Sequence, residues 1–261
     1  MDERGGHVAS NRSPFIFFML VFAFSAPLYL VGAITRFQVI PGVPLSGLVF
    51  VCPTMAALFL VLRENGKAGV IVLLMRSIDW KSIKGKIWFA PMIFLAPFAA
   101  LIQYGITRWT SVPIPMPQFP IALTLILALA LLTGALCEEL GWSGYAIDPL
   151  QDRLGELQAS ILVGFVWAVW HFVPLVQVGR SPVWIAWWCL GTVALRVLIV
   201  WLYNNTGKSV FAAAVLHAMS NLAWQLFPIN GSFFDVRINA VLMTLFAFAI
   251  VVVWEPRKLA G

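Results

Sequence analysis

Hydrophobic positions follow one another along most of the chain without a clear period. Apolar runs of about 20 residues recur at roughly 14–35, 43–62, 88–107, 120–147, 157–178, 183–203, 209–227 and 236–254. Each is long enough, as a helix rising 1.5 Å per residue, to cross the hydrocarbon layer of a bilayer. A helix that is apolar on every side has only lipid or other helices as neighbours. The pattern therefore predicts an all-α, polytopic membrane protein of about eight transmembrane helices. Composition agrees: with 61% hydrophobic and 11% charged residues, the chain has too little polar surface to cover a soluble globule. No internal repeat or low-complexity tract interrupts it, so residues 1–261 read as a single integral membrane domain. The first run lacks a small-residue cleavage site and is expected to be retained as a span.

Charge adds an orientation. Residues 63–87 carry Arg63, Lys67, Arg76, Lys81, Lys84 and Lys86, whereas the loops of the other face hold one basic residue each, Arg36, Arg108, Arg180 and Arg237. By the positive-inside rule, the 63–87 loop and both termini are expected on the cytoplasmic side, in a plasma membrane of prokaryotic type. The stretch AGVIVLLMRSIDWKSIKGK within that loop reads first as a topology signal, with an interfacial helix on anionic lipid as the alternative. The pI near 9.6 follows from this topology, and no nucleic-acid module is present. Cys52, Cys137 and Cys189 lie inside apolar runs without CxxC spacing and are expected to be packing residues. Trp184, Trp187 and Trp188 read as an interfacial aromatic belt. The sequons at Asn11, Asn204 and Asn230 read as chance matches. Gly134, Gly141 and Gly144 either allow close helix approach or loosen the fourth helix, which Asp148-Pro149 is expected to end.

Candidate chemistry lies in the polar residues that these runs contain. TGALCEELGWSGYAIDPLQ places Glu138 and Glu139 in the fourth run, FVWAVWHFVP places His171 in the fifth, and VLHAMSNLAW places His217 and Asn221 in the seventh. Arg196 lies in the sixth. Each ionisable group at the bilayer centre costs roughly 2.5 to 3.5 kcal/mol, so such residues face a cavity or a partner. Counted from the expected cytoplasmic helix ends, Glu138, His171 and His217 fall at similar depths, and His217 and Asn221, four apart, share a helix face. Two carboxylates, two imidazoles and an amide can thus meet in one pocket.

Such a set suits hydrolysis of an acyl bond. A carboxylate takes a proton from water and passes it to the leaving amine, one imidazole orients the water, and a second imidazole with an amide donates to the oxyanion. The same donors, Glu138, His171 and His217, could instead hold a divalent metal such as zinc. The H-E-x-x-H pattern is absent, and no cofactor is fixed by the sequence.

Glu138-Glu139-x-x-x-Ser143, Trp167-x-x-x-His171 and His217-x-x-x-Asn221 resemble the three motifs of the CPBP family, which includes the type II CAAX prenyl endopeptidases and the Abi-like bacteriocin-processing and self-immunity membrane proteins. Those motifs read Glu-Glu-x-x-x-Arg, Phe-x-x-x-His and His-x-x-x-Asn, and the likeness covers roughly residues 120–225, a CPBP-like catalytic core. The resemblance implies eight membrane helices around a cavity open to the cytoplasm. It also implies water activated by Glu138 with His171, and an oxyanion held by His217 and Asn221. Members are often labelled metalloproteases, and a metal-free glutamate mechanism has also been proposed. The chain departs from the pattern at Trp167 and, more consequentially, at Ser143, where the motif has arginine.

The leading expectation is an intramembrane endopeptidase hydrolysing a peptide bond near the cytoplasmic membrane face, acting on a peptide or membrane-protein substrate in the lipid bilayer, with no nucleic-acid partner. The alternatives are a catalytically silent peptide-binding or self-immunity relative and a proton-coupled transporter. Two neighbouring carboxylates in a low dielectric require a cation or a shared proton. Arg196, the one cation inside a predicted span, is expected to contact Glu139 in place of the missing arginine, leaving Glu138 free as the base.

Overall fold

A computed structural model describes residues 12–40, 43–110 and 113–254. Both chain ends and Asn11 lie outside the described residues. The eight expected helices are present. They are α1 (Pro14–Thr35), α2 (Cys52–Met75, entered through a 3-10 segment Leu45–Val51), α3 (Phe89–Trp109), and α4 (Ile121–Gly141) continuing into α5 (Ile147–Leu154). There follow α6 (Glu156–Trp170) with the short α7 (Phe172–Gln177), α8 (Pro182–Asn205), α9 (Val210–Leu226) and α10 (Val236–Val253). Seven of these stretches are long and apolar enough to cross a membrane. The eighth, Val210–Leu226, is a shorter apolar helix of 17 residues. The chain is a multi-pass, all-α membrane protein, with one small antiparallel hairpin of β1 (Gln38–Ile40) and β2 (Val43–Pro44).

The helix starts are written in the sequence. Ser13, Ser181, Ser209 and Asp235 each cap a helix with a side-chain oxygen that accepts from an early backbone N–H, and Pro14 and Pro182 sit in first turns, where their missing N–H costs little. Helix α8 runs through the middle of the bundle: Leu198, Ile199, Val200, Leu202 and Tyr203 are fully buried, with α6 and α10 packed against it. Gly164 permits the α6 contact, since a Cβ there would come within 3.0 Å of Arg196 and Val193.

The fourth helix does not end at Asp148-Pro149. A π turn, Trp142–Ala146, joins α4 to α5, and Pro149 falls in the first turn of α5, where a proline is tolerated. Gly155, at φ 81°, terminates the stretch instead. Of the three glycines noted in this run, Gly141 has a packing reason, because a Cβ there would lie 2.6 Å from the Pro53 carbonyl oxygen of α2. Gly134 has open space around it.

The bundle has two distinct ends. At one, Arg76 and Asp79 of the basic loop reach onto the bundle, while Arg63, Lys67, Lys81, Lys84 and Lys86 are exposed. The Arg76 guanidinium donates to the Gly144 carbonyl (2.8 Å), the Tyr203 hydroxyl (2.6 Å) and the Lys208 carbonyl (2.8 Å). Asp79 accepts from the backbone N–H groups of Val210 and Phe211 and from the Ser209 hydroxyl, capping α9 from outside its own helix. Lys208 reaches Asp148 at 3.0 Å. The stretch read as a topology signal or interfacial helix is partly helical: α2 breaks at Gly66 (φ 65°) and resumes to Met75 with Leu73 buried and Ile71, Val72 and Met75 exposed. The opposite end gathers the β-hairpin, the 178–181 turn and the 227–235 loop, tied by Ser46 to Gln177 and by Gln118 to Pro228.

Candidate active site

Adjacent residues on an α-helix point about 100° apart, and Glu138 and Glu139 use that difference. Glu139 is completely buried. Arg196 grips it bidentately, Nη1 to Oε2 at 2.7 Å and Nη2 to Oε1 at 2.9 Å. His217 Nδ1 lies 3.1 Å from Oε1, and the Ser143 hydroxyl donates to Oε2. Each carboxylate oxygen therefore has two partners, which offsets the desolvation of a buried charge. The contact expected between Arg196 and Glu139 is present. Ser143, at the motif arginine position, completes the same carboxylate with a neutral donor.

Glu138 turns the other way, onto the wall of a cavity of about 500 Å³. Its Oε2 accepts from the Trp167 indole Nε1 at 2.7 Å. The same indole lies under the Arg196 guanidinium, 4.2 Å from ring centroid to Cζ, and packs against His217 at 4.9 Å. Trp167 thus links the two glutamates, a role unseen in the sequence beyond its aromatic match. The signal was available, since a buried indole N–H requires an acceptor.

His171 is placed by a helix break. Pro174 cannot donate to the carbonyl four residues back, at Trp170, and that carbonyl accepts instead from the Tyr29 hydroxyl of α1. The chain turns at His171 between α6 and α7. Its Nδ1 donates to the Trp167 carbonyl at 2.9 Å, which assigns the proton of a neutral ring to Nδ1 and leaves Nε2 as an acceptor. Trp170 and Trp188 flank the ring. Trp188 consequently belongs to the cavity wall, not to an interfacial belt, while Trp184 packs on Trp224 and Arg180.

Glu138, His171, His217 and Asn221 all line this cavity. The three groups considered as metal donors do not converge as a site: among the described residues no three His, Cys, Asp or Glu side chains are grouped to hold an ion. The cysteines are free, with Cys52 buried and the other two half-buried.

The cavity extends from Glu138 toward Val43, Arg180, Asn230 and Phe234, at the hairpin end of the bundle. None of its lining comes from residues 63–87.

The indole N–H of Trp167 gives a direct test of its role. Trp167→Phe restores the family aromatic and keeps a ring beneath Arg196, but deletes the donor to Glu138. A hydrogen bond to a charged group contributes about 1.5 to 3 kcal/mol, so any peptide-hydrolysing activity should fall at least about tenfold with little change in thermal stability. Unchanged turnover would reduce Trp167 to a packing residue.

Residues 120–223 match the family model described as type II CAAX prenyl endopeptidase Rce1-like. The chain is also similar to CAAX prenyl protease 2 of Methanococcus maripaludis, 32% identical over 136 residues, a match covering 49% of each chain. The resemblance read from the three motifs is borne out, and the matched segment contains Glu138, Glu139, Ser143, Trp167, His171, Arg196, His217 and Asn221. The chain matches about half the length of that curated relative.

Proposed function

We propose that this protein is an intramembrane endopeptidase that hydrolyses a peptide bond with water activated by Glu138. One observation carries the proposal: of two adjacent buried glutamates, Glu139 is saturated by Arg196, His217 and Ser143, while Glu138 faces the cavity with one donor. A carboxylate so placed has an oxygen left to take a proton.

Water held between Glu138 and Nε2 of His171 attacks the scissile carbonyl as Glu138 removes its proton. The resulting oxyanion is met by Asn221 and by His217. Because Nδ1 of His217 lies against Glu139, an oxyanion contact from this ring would have to come from a proton on Nε2. Glu138 then returns the proton to the departing amine, and the bond breaks. Zinc would supply a polarised water if it were held by Glu138, His171 and His217, but that donor set is not converged and no step is routed through it.

The test is cleavage of a fluorogenic peptide library by the purified chain in lipid nanodiscs, with and without a strong zinc chelator. Cleavage that persists under chelation is the expected result. Cleavage that is lost and then restored by added zinc would replace the metal-free step, and no cleavage of any library member would overturn the enzymatic reading.

A further inference from the structure

We infer that residues 63–86 form an interfacial segment that docks on anionic phospholipid, and that the docked segment holds the helix ends next to the proposed active site. The docking stands on its own geometry, while its use in catalysis rests on the reading of Glu138 as the base.

The segment contains a helix that cannot span a bilayer and has no aqueous face. Gly66, at φ 65°, breaks α2. The part that follows, Lys67 to Ile78, is about 18 Å long at 1.5 Å per residue, against a hydrocarbon layer of about 30 Å. Its outward residues Ile71, Val72, Leu74, Met75 and Ile78 are all apolar and exposed. Lys67 stands before this face, and Trp80, Lys81, Lys84 and Lys86 stand after it, all exposed, with the Lys81 ammonium 5.5 Å from the Trp80 ring centre. A short helix that is apolar outside and flanked by cations and tryptophan lies in the headgroup region.

Charge specifies the lipid. Both carboxylates of the segment are engaged within the protein: Glu64 accepts from the Tyr145 hydroxyl at 2.6 Å, and Asp79 from Ser209, Val210 and Phe211 at the start of α9. What remains outside is cationic, namely Arg63, Lys67, Lys81, Lys84 and Lys86. That set complements an acidic headgroup and gains little from a zwitterionic one.

The inner face connects the segment to the site. Leu73 packs on Gly144, where a Cβ would come within 3.1 Å of Leu73 Cδ1. Arg76 donates to the Gly144 carbonyl beside Ser143, to Tyr203 about two turns beyond Arg196 on α8, and to the Lys208 carbonyl just before α9. The ends of the helices that carry Glu139, Arg196 and His217 are thereby tied to one guanidinium.

Hydrogen exchange read by mass spectrometry, on the full chain in lipid nanodiscs, tests the docking without a substrate. Nanodiscs of phosphatidylcholine alone are compared with nanodiscs containing phosphatidylglycerol. The acidic lipid should slow exchange in residues 67–86 and 208–214 by at least about fivefold and leave α1 and α10 unchanged. Lys81→Gln, Lys84→Gln and Lys86→Gln, combined in one variant, should abolish the difference. Equal exchange in the two lipids, or the same slowing in the triple variant, would overturn the docking. Slowing confined to residues 67–86 would overturn the hold on α9. Peptide cleavage in the same nanodiscs should rise with phosphatidylglycerol for the parent and not for the variant, and cleavage indifferent to lipid charge would overturn the role in catalysis. Absence of cleavage in every lipid would remove the enzyme and leave the exchange result to decide the docking.

Discussion

Glu138→Gln should abolish peptide cleavage while leaving the protein as stable as the parent. Glutamine is isosteric and its carbonyl oxygen still accepts from the Trp167 indole, so the contact seen at 2.7 Å survives. What it cannot do is take a proton from water. General-base catalysis contributes about 10² to 10⁴ in rate, and loss of both proton transfers assigned to this residue should lower kcat by about 10³, or about 4 kcal/mol. The neighbouring substitution separates chemistry from architecture. Glu139→Gln removes the charge that Arg196 and His217 share, in a site with no exposure to solvent, and should lower the unfolding temperature in detergent as well as activity. The pair of measurements decides the matter: equal cleavage by Glu138→Gln and parent would remove Glu138 as the base.

Arg196→Leu should be among the most damaging single changes in the protein. Removing one partner of a buried ion pair costs about 3 to 5 kcal/mol, because the remaining charge stays desolvated. Here Glu139 would keep only Ser143 and His217, and Trp167 would lose the guanidinium stacked on its face. Chemical denaturation in mild detergent should register the loss. Adding Ser143→Arg to Arg196→Leu returns a cation to the position four residues after Glu139 on its own helix, where the hydroxyl already touches that carboxylate, and should recover part of the stability. If Arg196→Leu alone is as stable as the parent, the ion pair is not what allows Glu139 to be buried.

Much of this was legible in the sequence because the membrane penalises polar residues. An uninterrupted apolar run has few reasons to contain Glu138, His171 or His217, so their presence marked the site, and the shortage of cations inside spans singled out Arg196 as the partner of Glu139. The same apolarity hid the rest. A run that is hydrophobic all round does not say which face meets lipid and which meets protein, so Trp188 looked like a belt residue and Trp167 like a departure from the motif phenylalanine. Arg76 and Asp79 looked like loop charges because their partners, backbone groups of Gly144, Val210 and Phe211, leave no trace in side-chain identity. The continuation of the fourth helix past Pro149 depends on a π turn, which resets the position of the proline relative to the preceding carbonyls.

The separation of Arg196 from Glu139 by 57 positions also bears on how the protein is made. With an arginine four residues downstream on the same helix, the family pattern neutralises its glutamate within one inserting segment. In this chain α4 enters the bilayer with two carboxylates and α8 enters later with an isolated guanidinium, each carrying an insertion penalty of about 2.5 to 3.5 kcal/mol per charge. Neither penalty is relieved until the two helices dock. Creation of the ion pair is therefore tied to assembly of the bundle, since the carboxylate of α4 gains its cation only when α8 docks against it.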